Sequence, residues 1–477
     1  MKASEIILNS GVSFGTSGAR GLVENLSDHV CAAFTLAFLD VMKKKFCFDT
    51  VAIAIDNRPS SQQIARACAQ AAEQAGVDVI YFGVVPTPAL ALLSIHNCIP
   101  AIMVTGSHIP FDRNGLKFYR PDGEIDKQDE VSILESDVSV EIGKVLPTLT
   151  VSDHASKLYV DRNTSIFPGT LLSKMRIGVY QHSSAGRELY PLIFSALGAE
   201  VILLEPSDTF VPVDTEAVGE EERIKAKLWS SKHNLDAIFT TDGDGDRPML
   251  SDENGEWLRG DVLGLLCAKA LGIEAVAVPV SCNTSIETSD AFVHTSLTKI
   301  GSPYVIAEIE QLKKKFTRVA GFEANGGFIL GSDISLSDSD LTALPTRDAV
   351  LPVLTVLVSA ALKSLKISDL LRSLPRRYTS SDRIQSFDNY DSKKLLELGR
   401  AEPQALVDSW SVGNVLVDKI DNTDGLRMYL NSGDIIHIRP SGNAPELRCY
   451  SESSTQERAD WLVQHVLGVI YIDRSIV

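Results

Sequence analysis

The 477 residues carry 44% hydrophobic and 7% aromatic side chains, enough to bury substantial cores, and at roughly 100–200 residues per domain the length predicts several domains. The formal charge of −17 argues against a nucleic-acid binder, which needs basic surface to displace counterions, but leaves room for an anionic substrate held in a local cationic pocket. The seven cysteines are odd in number and lack CxxC spacing, so they read as reduced thiols, not disulfides or zinc ligands.

Strand and helix signals alternate from the start. Residues 51–55 form a short apolar strand, and a helix follows with apolar positions Ile64, Ala67, Cys68, Ala71 and Ala72, stopping near Gly76. A strand at 79–82, a helix at 88–95 and a strand at 101–104 complete a βαβαβ run, which favours a parallel sheet covered by helices. The pattern restarts with strand 176–180, helix 187–197, and strands 201–204 and 237–240. It restarts again with helix 262–271, strand 275–280, strand-like 304–307 and 319–322, and a helix from 347 to about 362. No residue-level repeat links these units, so any kinship must be structural. Beyond Pro375 the strands 414–419, 426–430, 435–439 and 447–450 are joined by short polar turns, with helices at 392–400 and 456–470, which predicts a smaller α+β domain.

No apolar run approaches the ~18 residues of a membrane span. The opening Met1-Lys2-Ala3-Ser4-Glu5 lacks a signal-peptide core, so a cytoplasmic protein with no membrane partner is expected.

The sharpest local signal is Asp242-Gly243-Asp244-Gly245-Asp246-Arg247, directly after strand 237–240. Alternating aspartates bring three hard oxygen ligands around one centre, a set suited to Mg²⁺ or Ca²⁺. An EF-hand reading fails because Arg247 stands where glycine is required and a strand precedes the loop. A haloacid-dehalogenase-type nucleophile fits Asp242 and Asp244 but not the residues that follow.

The other candidates are weaker alone. Thr105-Gly106-Ser107-His108-Ile109-Pro110 follows a parallel strand, where α/β sheets bind ligands, but in isolation it reads as a turn, and it does not match the G-x-S-x-G elbow of serine hydrolases. Arg439-Pro440-Ser441-Gly442-Asn443-Ala444-Pro445 offers a phosphate cradle. The loop Gly15–Gly21 carries Arg20, and Asp56-Asn57-Arg58-Pro59-Ser60 reads equally as a helix cap or a functional turn. Glu323 and Asn325 end a strand with groups suited to sugar hydroxyls.

Together and in this order, the motifs resemble those of the α-D-phosphohexomutase family: T-A-S-H-N-P, D-G-D-x-D-R, G-E-x-S-G and R-x-S-G-T-E-P. The resemblance implies three related α/β domains with mixed, largely parallel sheets plus a C-terminal α+β lid domain around a central cleft. The expected boundaries are 1–150 with the phosphoserine loop, 151–256 with the metal loop, 257–374 with the sugar loop, and 375–477 with the phosphate-binding lid. It further implies that Ser107 carries the phosphoryl group and that one Mg²⁺ is held by Asp242, Asp244 and Asp246 with Ser107. A hexose 1,6-bisphosphate would be the intermediate and activator. Lys117, in an N-G-x-K match, would assist at the reacting oxygen, Arg20 and Arg247 would stabilise the phosphoryl group, and His108 would orient the loop. Glu323 and Asn325 would hold the sugar, and Arg439, Ser441, Gly442 and Asn443 the distal phosphate.

The departures (Gly106, Ile109, Asn325, Asn443-Ala444 and Ile300-Gly301-Ser302) are the combination associated with bacterial phosphomannomutase-like members serving GDP-mannose supply. A phosphoglucomutase or dual-specificity enzyme is the alternative, and a non-catalytic phosphosugar-binding relative the remote one. The expected partner is a small phosphosugar, and the chain is expected to act as a monomer or homodimer.

Overall fold

The computed structural model describes all residues except 16–17, 142, 144, 168, 337–338, 442–445 and 473–477. Three units share one strand plan. In each, a first strand (Thr50–Ile55, Arg176–His182, Ala275–Pro279) lies between a second (Asp78–Val84, Glu200–Pro206, His294–Thr298) and a third (Ala101–Val104, Ala237–Thr241, Val319–Phe322). These nine strands pair in parallel within their sheets. A fourth strand (Arg113–Arg120, Pro248–Leu250, Phe328–Leu330) then turns back antiparallel on the third. The kinship absent from the sequence is therefore present in topology. The turn between third and fourth strands is the same structural position in all three units, and it contains Ser107, the three aspartates and Glu323 respectively.

The strands read as near-continuous apolar runs because helices cover both faces. In the first sheet, Asp28–Lys43 and Ser61–Gln74 pack on one side; five alanines of Ser61–Gln74 are buried, which lets it lie close to its neighbours. On the other side, Thr87–Asn97 enters the largest core, where Leu90, Phe194, Phe322 and Leu354 from all three units join one apolar cluster. Helix Val350–Lys363 buries ten of its fourteen residues there. Tyr159 ties the second unit to the third by donating to Asp348 at 2.6 Å, and the same carboxylate oxygen accepts from Val350 N and so caps that helix.

The last sheet is wholly antiparallel, in the order Tyr378–Gln385, Glu446–Ser453, Ile435–Pro440, Leu426–Leu430, Val417–Asp421. One face (Leu426, Met428, Ile436, Ile438, Leu447, Cys449) packs on helices Asn389–Ala401 and Gln456–Ile472. Alternation puts Arg427, His437, Arg439, Arg448 and Tyr450 on the other. This unit is tied to the third through Glu452, which accepts from Thr284 and from Arg377 Nε.

One element differs in kind from the sequence expectation. Residues 304–307 belong to helix Ser302–Leu312, where Val305, Ile309 and Leu312 are buried at helical spacing; a four-residue window could not separate that period from a strand. Helix 347–362 in fact starts at Val350, because Thr346 to Asp348 continue strand Leu344–Asp348. Among the described residues no helix is long and apolar enough to cross a membrane. All seven cysteines are free, five of them buried.

Two buried histidines make stability pH-dependent. His182 (bonded to Thr241 O at 2.9 Å) and His437 (bonded to Asp424 O at 2.6 Å) are both pushed down to about 4 by burial. The unfolded chain binds these protons near pH 6.5 and the folded chain does not, so stability falls as pH drops from about 6.5 towards 4. About 2 kcal/mol per histidine is expected to be lost between pH 8 and pH 5, read as a falling midpoint of thermal unfolding. A flat midpoint over that range would contradict the burial of both rings.

Candidate active site

The turns after the third strands converge. Ser107 is fully buried and sits at φ 56°, the left-handed region that costs a non-glycine residue about 1–2 kcal/mol. Its backbone N donates to Thr105 Oγ1 at 2.8 Å and its carbonyl accepts from Arg58 Nη2 at 2.7 Å. Arg58 is the clamp of this loop. Its Nη1 and Nη2 also reach the carbonyls of Ile109, Pro110 and Arg113, its Nε meets Asp56 at 3.1 Å, and its guanidinium lies 4.0 Å over the Phe210 ring. A Cβ on residue 106 would stand 2.6 Å from Arg58 Cζ, so the glycine that departs from the family pattern is what admits the clamp.

Ser107 Oγ donates to Asp242 Oδ2 at 2.6 Å. The metal loop packs backbone-on-backbone against this turn: a Cβ on Gly243 would lie 2.8 Å from Ser107 O. Asp242, Asp244 and Asp246 are buried, with carboxylate oxygens within 4.8 Å of one another. Burial, then repulsion from Asp244 and Asp246, pushes the Asp242 carboxyl well up. Burial would raise Asp244 too, but the Lys117 ammonium at 2.5 Å outweighs it, with help from Thr87 Oγ1 at 2.6 Å, and holds it below the usual carboxylate range. Asp246 is likewise held low, against burial, by Arg347 and Lys117 at 2.7 Å each. Oδ1 of Asp244 and Oδ1 of Asp246 are buried and accept no hydrogen bond from a described residue, the latter standing 3.7 Å from Arg247 Nε. Three carboxylates with two oxygens free of hydrogen bonds are a donor set that fits a hard divalent cation.

Arg247 Nη1 lies 3.0 Å from His108 Nδ1, whose distance to Ser107 Oγ is 3.5 Å. Nδ1 therefore accepts from Arg247, and burial followed by the Arg247 charge pushes the ring down to about 3, leaving it neutral. Half-buried Arg20 is pushed down to about 10, by burial first and then by Arg247, and makes no hydrogen bond or ion pair to a described residue. Two guanidiniums thus face the nucleophile turn beside a cluster of carboxylates, an arrangement able to receive a phosphoryl group.

Glu323 gives Oε2 to Arg347 at 3.3 Å, and Asn325 gives Oδ1 to Gly327 N at 3.0 Å while its carbonyl accepts from Thr215. Arg347 spans Asp246 and Glu323, joining the metal loop to the third-unit loop. Of the residues expected from sequence, Ser107, His108, Lys117, Arg20, Arg247, the three aspartates, Glu323 and Asn325 come together. Arg439 lies apart on the last sheet, paired with Asp424 at 2.9 Å, and Ser441 follows it. Gly442 and Asn443 lie outside the described residues. Sequence reasoning missed Arg347 and Thr87, which announce themselves only in space, and left Arg58 undecided. The one available signal for Arg58 was its pairing with Asp56 at a strand end.

A buried serine beside three carboxylates able to hold a cation, with arginines around them, is a set of groups whose chemistry suits phosphoryl transfer to and from a hydroxyl. Sequence profiles for phosphoglucomutase/phosphomannomutase domains match this chain: alpha/beta/alpha domain I at 11–139, alpha/beta/alpha domain III at 259–378 and the C-terminal domain at 396–468. The chain is 53% identical to a phosphomannomutase of Salmonella muenchen, covering 98% of this chain and 97% of that one. It is 39% identical to a phosphomannomutase of Sinorhizobium fredii, over 96% and 99%. A crystal structure of a phosphoglucomutase/phosphomannomutase family protein from Burkholderia thailandensis superposes with a TM-score of 0.75 at 20% identity, over 99% and 97%. The chain belongs to the phosphoglucomutase/phosphomannomutase family.

The clamp predicts a measurable coupling. Gly106→Ala should destabilise by about 1–3 kcal/mol through overpacking against the guanidinium. Combined with Arg58→Lys, which vacates that space, it should cost clearly less than the sum of the two single changes in denaturant unfolding. Strict additivity would show that Gly106 and Arg58 do not share the space.

Proposed function

We propose that this chain is a phosphomannomutase, an isomerase that interconverts mannose 6-phosphate and mannose 1-phosphate through a phosphorylated Ser107 and a 1,6-bisphosphate. The observation that carries the phosphoryl-transfer reading is Ser107 Oγ held 2.6 Å from Asp242 within a buried carboxylate triad. The choice of mannose rests on the two phosphomannomutases that this chain resembles at 53% and 39% identity.

Asp242 Oδ2 receives the Ser107 hydroxyl hydrogen and so aims the oxygen lone pairs at an incoming phosphorus. Asp242, Asp244 and Asp246, with Ser107, would hold Mg²⁺; a solved N-acetylphosphoglucosamine mutase of Aspergillus fumigatus, related in fold at a TM-score of 0.60, carries magnesium with its sugar phosphate. When bound, the cation supplies charge neutralisation of the phosphoryl oxygens. Arg20 and Arg247 take the remaining charge. Lys117 balances two carboxylates and presents its ammonium beside the reacting oxygen. His108 accepts from Arg247 and so orients it at the serine turn. Glu323 and Asn325, whose Oε2 and Oδ1 are held by Arg347 and Gly327 N, grip the sugar hydroxyls with Oε1 and Nδ2. Arg439, Ser441, Gly442 and Asn443 grip the distal phosphate, which lets the bisphosphate bind in either direction. The boundaries 1–150, 151–256, 257–374 and 375–477, the last a lid that excludes water, belong to this reading, as do a cytoplasmic location and a role in supplying mannose 1-phosphate for GDP-mannose.

Specificity constants for mannose, glucose and glucosamine 6-phosphates, measured with Mg²⁺ and a 1,6-bisphosphate activator, test the assignment. Mannose should lead. Equal values for glucose would make the enzyme dual-specific, and a lead for glucosamine would overturn the sugar assignment. Ser107→Ala should lose about 10³-fold or more in kcat. Mg²⁺ should raise the thermal midpoint of the wild type and fail to do so in Asp244→Asn.

A further inference from the structure

Between the third unit and the last sheet lies a narrow cleft, walled by Arg259 and Cys282 on one side and Arg427, His437, Tyr450 and Thr379 on the other. Arg427 is 3% exposed, its guanidinium makes no hydrogen bond or ion pair to a described residue, and its Nη1 is buried. Its aromatic neighbour Tyr429 lies 5.0 Å away, and its cross-strand neighbour Asp421 is engaged by Thr423 N at 2.7 Å. Glu452 also lines the cleft, but its oxygens are taken by Thr284 and Arg377. Arg259 faces Asp261 through Nε and Nη2, each at 3.2 Å. His437, 2% exposed, donates Nε2–H to Asp424 O, so its unpartnered Nδ1 presents a lone pair. Asp421 lends the guanidinium charge from across the strand but no hydrogen bond, and a buried donor left without an acceptor is unfavourable; here the lone-pair acceptor of His437 lines the same cleft.

We propose that this cleft binds a hydroxyl-bearing tetrahedral oxyanion, with orthophosphate the simplest case, between Arg427 and Arg259. The oxyanion's P–O⁻ groups meet the guanidiniums and its P–OH donates to His437 Nδ1. Both unpartnered atoms are covered in the present arrangement, so the anion enters while the last sheet stands away from the third unit and ties the two together when they meet. The cleft is walled by residues other than the Arg439 loop assigned to the substrate phosphate, although His437 and Arg439 both meet Asp424, and it does not depend on which sugar is used.

Titration calorimetry of the full-length chain with inorganic phosphate tests this. The wild type should bind two phosphates. Arg439→Gln should lose the one that competes with hexose phosphate. Arg427→Met should weaken the other by about ten-fold or more while leaving competition unchanged, and Arg427→Lys should weaken it less. Sulfate, with no hydroxyl for Nδ1, should bind this second site at least about ten-fold more weakly. Unaltered phosphate stoichiometry in Arg427→Met would overturn the proposal and leave the cleft to water. If that variant does not fold, wild-type crystals soaked in arsenate, which keeps a hydroxyl near neutral pH, decide: an anomalous peak between Arg427 and Arg259 supports the site, and a peak at Arg439 alone rejects it.

Discussion

Three carboxylates buried within 4.8 Å of one another cannot persist without positive charge around them. Much of the site is an answer to that constraint. Lys117 from the first unit reaches Asp244 and Asp246, and Arg347 from the third reaches Asp246 and Glu323. Arg247 approaches from the metal loop itself. The units are therefore held in register partly by the electrostatics of the second unit's turn, and the same cations that permit its burial surround the serine that shares a hydrogen with Asp242. Two carboxylate oxygens are left for a cation, so the cluster is balanced without being saturated.

The repeated strand plan explains how one centre can be assembled from distant segments. Each third strand ends in a turn that returns antiparallel, and three such turns bring Ser107, the three buried aspartates and Glu323 together. The turns differ in chemistry but not in place. That division leaves the last sheet free to meet the others across a polar face built of Arg427, His437, Arg439 and Arg448, a surface suited to anions more than to permanent packing.

Much of this was legible in the sequence because the signals were local. The βαβ alternation, the D-G-D-G-D loop and the order of the motifs all lie within short windows, and Ser107, the three aspartates and Glu323 were singled out that way. What was not legible depends on distance. Residues 304–307 are too few to distinguish helix from strand without the partners of Val305 and Ile309. Arg347 reads as the first turn of a helix until Asp246 and Glu323 are seen across from it. Gly106 looked like a tolerated departure; the Arg58 guanidinium, 48 positions earlier in the chain, occupies the space where its Cβ would be. The topological repeat was invisible because packing preserves strand order while leaving residue identity free.

The central claim is that the buried triad makes Ser107 a phosphoryl carrier. Incubating the full-length chain with a hexose 1,6-bisphosphate labelled in its phosphates, with and without a chelator, and mapping the label by peptide mass spectrometry tests it directly. The account predicts a cation-dependent label on Ser107 that is absent in Asp242→Asn. Label on another residue, or release of free phosphate with Ser107 unmodified, would contradict it.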